Sequence, residues 1–261
     1  MTLLAEILSR KALEVEARRA SLPERELEAR AVTTPVPRRL EDALSPPGGA
    51  VRIIAEVKRA SPSAGAIDTA LDAPAQAARY EAAGAAAISV LTDGPGFGGS
   101  LDDLAAARAR VLAPLLRKDF VLERYQLLEA RAWGADAALL IVAALPGDLL
   151  RRRLDDCAAL GLSALVEVHD LAEARRAVAA GARIVGINNR DLRTFQVDLA
   201  TSERVLPALP PGVLGVAESG IRTADDVARL RRCGAANFLV GEALVRAPDP
   251  GALLREMAAA R

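Results

Sequence analysis

The sequence is short of cysteine and of net charge, and each shortage excludes a class of protein. Two cysteines, Cys157 and Cys233, are too few for a disulfide framework, lack metal-ligand spacing and fit a reducing cytoplasm. Lysine and arginine number 34 together, as do aspartate and glutamate, so no overall field attracts nucleic acid or an anionic membrane. We therefore expect neither as a partner, and any anionic ligand must be captured locally.

Long hydrophobic runs are also missing. The longest, from Ala137 to Leu145, is too short to cross a bilayer. The first twenty residues interleave charges with leucine, isoleucine and valine, which predicts an amphipathic helix and not a signal peptide. With 51% hydrophobic and 26% charged residues, the chain can bury a large core beneath an ordinary solvated surface. We expect a globular cytoplasmic protein, either a monomer or a weak homo-oligomer.

From about residue 52 the sequence repeats one unit: an apolar run, a polar turn, a helix rich in alanine, leucine and arginine, and a glycine break. Five breaks are nearly the same phrase: AAGAAAISV, AWGADAALL, ALGLSALV, AAGARIVGI and RCGAANFLV. Each is typical of a helix C-cap glycine that leads into a buried strand. The apolar runs predict eight strands, at residues 52–58, 86–92, 113–119, 137–144, 163–168, 184–189, 213–218 and 237–241.

Eight apolar strands that alternate with eight helices predict a parallel sheet covered by helices. At this length such a sheet closes into a (β/α)8 TIM barrel. A doubly wound open sheet is the alternative, and the lack of a glycine-rich dinucleotide fingerprint after the first strand counts against it. Residues 1–50 hold one clear helix and then a more irregular stretch, and are predicted as an N-terminal helical extension. With a barrel of residues 51–261 it forms a single domain, 1–261.

Polar side chains end five of the predicted strands, on the face that also carries apolar residues. Side chains alternate along a strand, and active sites of such barrels lie at the carboxyl ends of the strands. The residues concerned are Glu56 and Lys58 in strand 1, Lys118 in strand 3, Glu167 in strand 5, Asn188 in strand 6 and Glu218 in strand 7. One such residue is usually solvated or ion-paired, but burying the charged ones together requires mutual pairing or a charged ligand.

Three ionisable residues near these strand ends are left outside the predicted site. His169, the single histidine, follows Glu167 closely, but a loop residue leading into the next helix is at least as good an interpretation. Asp119 and Asp191 lie just past strand ends and are predicted to orient loops or cap helices.

The loops after strands 7 and 8, ESGIRT and VGEALV, suggest a phosphate site. Barrel enzymes often bind phosphate there, with backbone N–H groups and a short helix N-terminus directed at the anion. Gly220 and Gly241 allow the backbone to approach a ligand closely. The expected partner is therefore a phosphorylated small molecule.

Several segments together resemble the indole-3-glycerol phosphate synthase family of tryptophan biosynthesis. They are IIAEVKRASPSAG, ISVLTDGPGFGGSLDDL, LLRKDFVLERYQLLEARAWGADAALLIVAAL, LVEVHD, IVGINNRDL and GVAESGI, within about residues 52 to 245. The most specific part is glutamate-x-lysine with Ser-Pro-Ser, combined with Arg-Lys-Asp-Phe. The resemblance implies a cofactor-free conversion of 1-(2-carboxyphenylamino)-1-deoxyribulose 5-phosphate into indole-3-glycerol phosphate, with release of carbon dioxide and water.

The resemblance also implies which residues act. Catalytic counterparts fall on Glu56, Lys58, Lys118, Glu167, Asn188, Glu218 and Ser219. Substrate contacts fall on Ser61, Gly220, Gly241 and Glu242 for anionic groups, on Arg190, and on Phe97 and Phe120 as aromatic walls around the anthranilate ring. The loop GPGFGGS departs from the family, which often has an aromatic pair where this chain has Gly96 and Phe97. The extra glycine is expected to raise the conformational entropy of the open loop.

Three other functions stay open. Phosphoribosylanthranilate isomerase, a neighbouring enzyme of the pathway, would show a cysteine at the end of strand 1 and an aspartate at strand 6, where this chain has Glu56, Lys58 and Asn188. A non-catalytic phosphate-binding barrel would not need two lysines and three glutamates at its strand ends. A Schiff-base aldolase would use a strand-end lysine to attack a carbonyl.

Overall fold

A closed barrel of eight parallel strands forms the centre of the computed structural model, which describes residues 3–45, 47–62, 65–191 and 194–261. The barrel strands are β1 Arg52–Val57, β2 Ala87–Leu91, β3 Leu115–Lys118, β4 Ala137–Ile141, β5 Ser163–Val168, β6 Ile184–Asn188, β7 Leu214–Glu218 and β8 Asn237–Val240. Each strand pairs with the next in the chain, and β8 pairs with β1, where Asn237 lies opposite Arg52. This confirms the predicted TIM barrel and excludes the open sheet.

Helices cover the outside of the barrel. Those that follow the eight strands in turn are α4 Ala73–Ala82, α6 Leu101–Arg108, α7 Arg124–Ala132, α8 Leu149–Ala159, α9 Leu171–Ala180, α10 Ala200–Val205, α11 Ala224–Arg231 and α13 Pro250–Ala258. Two shorter helices, α5 Gly94–Phe97 and α12 Glu242–Arg246, lie in the loops after β2 and β8. After β1, Ala60–Ser61 and Gly65–Ala66 pair as a short antiparallel ribbon. Within the described ranges, no helix combines the length and apolar character needed to cross a membrane.

The N-terminal extension is more helical than the sequence predicts. It holds α1 Leu3–Ser21, as expected, but also α2 Glu24–Thr33 and α3 Leu40–Leu44 in the stretch predicted to be irregular. The helix α2 packs on α7, where its Leu27 joins a buried cluster with Tyr125. The Tyr125 hydroxyl donates a hydrogen bond to the backbone oxygen of Leu22, 2.8 Å away.

The strands pack between two clusters of apolar side chains, one inside the barrel and one beneath the surrounding helices. Ile54, Leu116, Leu165 and Val216 belong to a cluster inside the barrel, which confirms the alternation predicted for those strands. The larger cluster lies between the strands and the surrounding helices. Polar residues two positions further along the same faces therefore project into the barrel mouth.

The helix α3 closes the opposite, amino-terminal end of the barrel. Its Leu40 and Leu44 are buried in the inner cluster. The Leu40 backbone N–H donates to Oγ of Ser163, the first residue of β5, at 3.1 Å. The extension therefore supplies the bottom layer of the barrel interior.

Strand β4 is shorter than predicted. Its apolar run continues to residue 144, but the strand ends at Ile141 and residues 142–144 form a 3-10 turn. The reason is visible in α9, where Arg176 donates to the backbone oxygens of Val142, at 3.1 Å, and of Gly147, at 3.0 Å. These carbonyl groups are satisfied by a side chain and not by a neighbouring strand.

Candidate active site

The carboxyl ends of the strands open into a cavity of about 730 Å³. This volume is typical of a small-molecule site, roughly 300–1,000 Å³. Every residue predicted for the site lines the cavity: Glu56, Lys58, Ser61, Phe97, Lys118, Phe120, Glu167, Asn188, Arg190, Glu218, Ser219, Gly220, Gly241 and Glu242. Leu3, Leu4 and Ile7 of α1 line it too, so the N-terminal extension contributes one wall that the sequence did not predict.

Lys118, at the end of β3, lies among three carboxylates. Its Nζ is 2.6 Å from Oε2 of Glu218, 3.6 Å from Oε2 of Glu167 and 3.9 Å from Oε2 of Glu56. Burial by itself would lower the pKa of this lysine, but the three negative charges outweigh burial and raise the pKa above its ordinary value. Lys118 is therefore an ammonium group at neutral pH, able to donate a proton.

Glu56 and Lys58 are two residues apart at the end of β1 and pair with each other. The distance between Lys58 Nζ and Glu56 Oε1 is 2.8 Å, and both side chains are largely buried. Burial raises the pKa of Glu56, yet the charges of Lys58 and Lys118 lower it more, so the carboxyl is ionised. This geometry agrees with the expectation that buried charges at the strand ends pair with one another.

Glu167, at the end of β5, is held from two sides. Asn188 Nδ2 donates to its Oε1 at 3.0 Å, and His169 Nε2 lies 3.4 Å from the same oxygen. Burial favours the neutral acid, but the contact with His169 and the charge of Lys118 outweigh burial and lower the pKa of Glu167 to about 2. Glu167 is consequently an ionised carboxylate that can accept a proton.

His169, which sequence reasoning set aside, belongs to this cluster. Its Nδ1 lies 3.0 Å from Oε2 of Glu173, which also accepts a hydrogen bond from the His169 backbone N–H at 2.8 Å. Burial would lower the pKa of His169, but the carboxylates of Glu167 and Glu173 raise it to about 10. The available signal was the position of His169 two residues after Glu167, where continued strand alternation would place both side chains on the same face.

Glu218 ends β7 and has the least compensated carboxyl group of the cluster. Its Oε2 accepts a hydrogen bond from Lys118, whereas Oε1 has no hydrogen-bond partner among the described protein groups. Burial raises the pKa of Glu218 to about 7, with the Glu167 and Glu56 charges acting in the same direction and the Lys118 charge opposing them. Glu218 is the carboxyl group of the cluster that binds a proton most readily near neutral pH.

A glycine on the neighbouring strand makes room for Glu218. A Cβ atom at Gly186 of β6 would lie 2.0 Å from Oε1 of Glu218. Atoms cannot approach so closely, so the Glu218 side chain occupies its present position because residue 186 has no side chain.

Glycines leave the backbone accessible to a ligand at the ends of β7 and β8. Ser219 and Gly220 both have positive φ angles, 64° and 79°, and the Ser219 conformation is uncommon for a residue with a side chain. A Cβ atom at Gly241 would lie 2.4 Å from Oε1 of Glu56 and 3.0 Å from Nζ of Lys58. The β8 loop therefore passes close to the Glu56–Lys58 pair.

Two aromatic rings face each other on one side of the cavity. The ring centroids of Phe97 and Phe120 are 6.2 Å apart, with an interplanar angle of 45°. Phe97 ends the short helix α5, whose N-cap Asp93 accepts a hydrogen bond from the Gly96 backbone N–H at 3.0 Å. A Cβ at Gly96 would come within 2.9 Å of Oδ2 of Asp93. The glycine that departs from the family pattern thus leaves space for a helix cap.

The two aspartates predicted to orient loops do so. Asp119 Oδ1 accepts a hydrogen bond from the Phe120 backbone N–H at 2.8 Å, and Asp191 Oδ1 accepts one from the Thr194 backbone N–H at 3.1 Å. In the part of the chain that the structure describes, no group of three or more His, Cys, Asp or Glu residues is arranged to hold a metal ion.

Comparison with known proteins identifies the family. The family model for indole-3-glycerol phosphate synthase matches residues 4–257, nearly the whole chain. The chain belongs to the indole-3-glycerol phosphate synthase family. The indole-3-glycerol phosphate synthase of Syntrophobacter fumaroxidans is 48% identical over 255 residues, covering 97% of this chain and 96% of the relative.

Other indole-3-glycerol phosphate synthases are similarly related. The enzyme of Streptomyces griseus is 47% identical over 260 residues, covering 100% of this chain and 96% of its own. That of Mycobacterium tuberculosis is 48% identical over 259 residues, covering 99% and 94%. These matches favour the synthase over the isomerase, the aldolase and the non-catalytic barrel that the sequence left open. Indole-3-glycerol phosphate synthase is a carboxy-lyase of tryptophan biosynthesis, and this family includes the chain.

Proposed function

We propose that this chain closes the indole ring at the mouth of its barrel. It converts 1-(2-carboxyphenylamino)-1-deoxyribulose 5-phosphate into indole-3-glycerol phosphate, carbon dioxide and water, the activity of its family. The observation that carries this proposal is the position of Lys118, whose ammonium lies among Glu56, Glu167 and Glu218 in the cavity lined by the two phenylalanine rings. A proton donor, a proton acceptor and an aromatic wall share one space.

The substrate carries two anionic groups, and we assign a place to each. The phosphate binds the backbone at Gly220, Gly241 and Glu242, assisted by Ser61 and by the Lys58 ammonium. Two observations support this placement: Gly220 and Gly241 leave the backbone accessible at the ends of β7 and β8, and Gly241 lies close to Lys58.

We assign the aromatic carboxylate to Arg190. This arginine lines the same cavity, and its Nη1 donates to the Phe195 backbone oxygen at 3.2 Å, which holds the guanidinium in one orientation. A planar guanidinium suits a carboxylate because it can donate two parallel hydrogen bonds. The anthranilate ring then lies against Phe97 and Phe120.

Ring closure needs a proton on the ketone oxygen. The aromatic carbon that bears the carboxylate attacks the C2 carbonyl carbon, and a carbon–carbon bond forms as the carbonyl electron pair moves to oxygen. Lys118 donates its proton to that oxygen, and the aromatic rings of Phe97 and Phe120 hold the attacking ring in line. The raised pKa of Lys118 keeps the proton available in the resting enzyme.

Decarboxylation requires no further acid. The bond between the ring carbon and the carboxylate breaks, its electron pair restores the aromatic ring, and carbon dioxide leaves. The positive charge produced on the ring system by the attack is neutralised in this step, which makes the loss of carbon dioxide favourable.

Dehydration needs one acid and one base. The new hydroxyl group leaves as water after it receives a proton from Lys118, which solvent has reprotonated after ring closure, and the neighbouring carbon gives up a proton to complete the indole. We assign this base to Glu167, which His169, Asn188 and Lys118 keep ionised and oriented. Glu56 and Glu218 position the lysines and the substrate. Over the cycle two protons are donated and one is taken, so each turnover consumes one proton from solvent.

The electrostatics of Lys118 argue against a Schiff-base mechanism. A lysine that attacks a carbonyl must first lose its proton, and enzymes achieve this by lowering the lysine pKa. The three carboxylates around Lys118 raise its pKa instead. Treatment with borohydride in the presence of substrate would trap a covalent adduct only if this assignment were wrong.

Mixing the purified chain with the carboxyphenylamino deoxyribulose phosphate tests the function directly. Indole fluorescence and carbon dioxide should appear together in equal amounts. A substrate analogue whose ketone is reduced to an alcohol serves as the control, because it can bind but cannot close the ring. Release of neither product from the genuine substrate would refute the proposal.

The chain is also proposed to act as a single domain in the cytoplasm, as a monomer or weak homo-oligomer. The helices α1 and α2 share a buried cluster with α7, and α3 belongs to the inner cluster of the barrel, which supports one folding unit. The cysteines Cys157 and Cys233 are both free thiols, which suits a reducing compartment.

A further inference from the structure

The helix α1 buries a lysine in the middle of its apolar stripe. Ile7, Lys11 and Val15 are four residues apart and form the buried face of the helix. The Lys11 side chain is fully buried, at 0% exposure. Burying a lysine there costs folding free energy unless its charge is paired, so the groups that pair with Lys11 indicate its role.

The Lys11 ammonium joins two loops of the barrel mouth. Its Nζ lies 2.7 Å from Oδ1 of Asp93, which follows β2, and 2.9 Å from Oδ1 of Asp119, which follows β3. Both aspartate side chains are also fully buried. Glu14, one turn further along α1, completes the set at 2.9 Å. One cation of the N-terminal extension thus bridges two strands of the barrel.

The same two aspartates hold the two aromatic rings. Asp93 caps the helix α5 that ends at Phe97, through the Gly96 backbone N–H. Asp119 accepts a hydrogen bond from the Phe120 backbone N–H with Oδ1, the oxygen that also contacts Lys11. Each aspartate is therefore fixed on one side by Lys11 and on the other by the backbone that carries a phenylalanine.

Lys118 depends on the same contacts because of its place in the chain. It lies between Arg117 and Asp119, whose buried side chains pair with each other at 3.0 Å. Strand alternation places the Arg117 side chain on the face of β3 opposite the catalytic ammonium, and Asp119 follows directly after the strand. A shift of Asp119 moves the backbone on which both Lys118 and Phe120 are carried.

The charges of this network balance. Its linked members are the cations Arg10, Lys11, Arg18 and Arg117 and the carboxylates Glu14, Asp93, Asp119 and Glu129. Loss of Lys11 leaves Asp93 and Asp119 short of a positive charge that no solvent can replace. Their carboxylates would then repel each other, and the two loops that carry the rings would separate.

We propose that Lys11 is a positioning residue for ring closure, which holds Phe97, Phe120 and Lys118 in register through Asp93 and Asp119. This inference rests on the proposed function and adds to it a residue of the N-terminal extension. Docking of α1 is then a condition for catalysis, since the helix supplies the charge on which the mouth geometry depends.

Replacement of Lys11 by methionine tests the proposal, with Arg18→Met as the matched control. Both residues lie on α1 and belong to the network, but Arg18 contacts Glu14 and Glu129 and touches neither Asp93 nor Asp119. In Lys11→Met we expect kcat to fall about 10- to 100-fold, as for a misplacement of reacting groups by about 1 Å. Arg18→Met should keep the wild-type kcat.

Two probes separate positioning from general damage. Inhibition by N-methylanthranilate reports on the aromatic end of the cavity and should weaken in Lys11→Met. Inhibition by inorganic phosphate reports on the other end, formed by the β7 and β8 loops, and should be unchanged. A merely structural role of Lys11 predicts that both probes weaken together, or that Arg18→Met loses as much activity as Lys11→Met.

A folded Lys11→Met variant with kcat within about twofold of wild type would overturn the inference. If this variant did not fold, Lys11→Gln would replace it, because its amide can still donate to one carboxylate; the same split between probes and the same loss of kcat are expected. Failure of the wild-type chain to turn over substrate would refute the proposed function. Normal wild-type turnover with an equally active variant would refute only the role of Lys11.

Discussion

The protonation of a few side chains decides what the barrel mouth can do. Glu56, Glu167 and Glu218 face Lys58, Lys118 and His169 within one cluster, so the buried charges are close to balance before substrate arrives. The cluster separates its carboxyl groups by environment: the pKa of Glu167 is lowered to about 2 and that of Glu218 raised to about 7. Pairs of titratable groups with separated pKa values are typical of acid–base catalysis.

Lys118→Met tests the general acid. The change keeps the length and apolar stem of the side chain but removes the proton, so ring closure should slow. We expect kcat to fall by at least about 100-fold, with a much smaller change in KM. Steady-state kinetics with indole fluorescence provide the measurement. A modest loss of kcat accompanied by a large rise in KM would show that Lys118 only attracts the anionic substrate.

His169→Asn should reveal a pH-dependent contribution to stability. The pKa of His169 is raised in the folded protein, from 6.5 to about 10, so its stabilising effect is complete below pH 6.5 and is lost as pH rises through about 10. Denaturant unfolding of wild type and variant should therefore differ more near pH 6 than above pH 10. Its partner Glu167, with a lowered pKa, loses its own contribution only as pH falls from about 4.5 towards 2. Equal differences at both pH values would contradict the assignment.

Strand alternation predicted the charged and amide side chains at the strand ends from the sequence, because it requires only that neighbouring side chains face opposite ways. It could not decide His169, which lies one residue past the end of β5, where the backbone is no longer bound to alternate. Lys11 was not predicted because a lysine on an amphipathic helix normally faces solvent. Its partners Asp93 and Asp119 are far away in the chain and meet it only after folding.

At the scale of elements, the extension is the part that the sequence predicted least well. The helix α2 was missed because its sequence, ERELEARAVT, is dominated by charged residues and shows little apolar periodicity. Its buried residues, Leu27 and Ala31, are stabilised by packing on α7 and not by their own pattern. The sequence predicts a strand up to residue 144, three residues beyond the end of β4, because hydrophobicity alone does not show where a strand ends.

Leu44→Ala tests the closure of the barrel bottom by α3. Leu44 is buried in the inner cluster at 1% exposure, so the shortened side chain leaves a cavity there. We expect the free energy of unfolding to fall by about 2–5 kcal/mol without a change in KM. The control is Leu13→Ala, whose side chain is 74% exposed, and which should change stability by about 0.5 kcal/mol or less. Equal effects of the two changes would show that α3 does not close the core.

Gly241→Val tests the loop after β8 as a phosphate site. The new side chain would overlap Glu56 and Lys58 and push an anion away from the backbone donors. KM should rise by about tenfold or more, equivalent to about 1.4 kcal/mol of lost binding. Gly251→Ala in α13 is the matched control, since its Cβ would meet its nearest neighbours at 3.3 Å. An unchanged KM in Gly241→Val would refute the phosphate placement.

On the scale of the whole molecule, the repeated strand–helix unit predicted the barrel because each repeat supplies one strand of the sheet and one helix that covers it. Closure itself is not a local property. It depends on the parallel pairing of β8 with β1 at the two ends of the repeat, with Phe238 opposite Ile53. The two strands are far apart in the sequence, so from the sequence alone only the chain length and the number of repeats support closure of the barrel.

Proton uptake is the expected signature of the complete reaction. The substrate carboxylate leaves as neutral carbon dioxide, so one proton should be consumed per indole-3-glycerol phosphate formed. A pH indicator in weakly buffered solution, read before the carbon dioxide hydrates, measures the ratio against indole fluorescence. An isomerisation would consume none, and a ratio near zero would therefore contradict the proposed chemistry.

Gly186 matters for protein design because it controls whether Glu218 can keep its position in the barrel mouth. Because a single methyl group at residue 186 would collide with Glu218, Gly186→Ala should displace the Glu218 carboxylate from its present position. Libraries that diversify the cavity while retaining the native reaction must therefore hold this position constant. Libraries that seek a new reaction can begin from the alanine variant, in which we expect the original activity to be low.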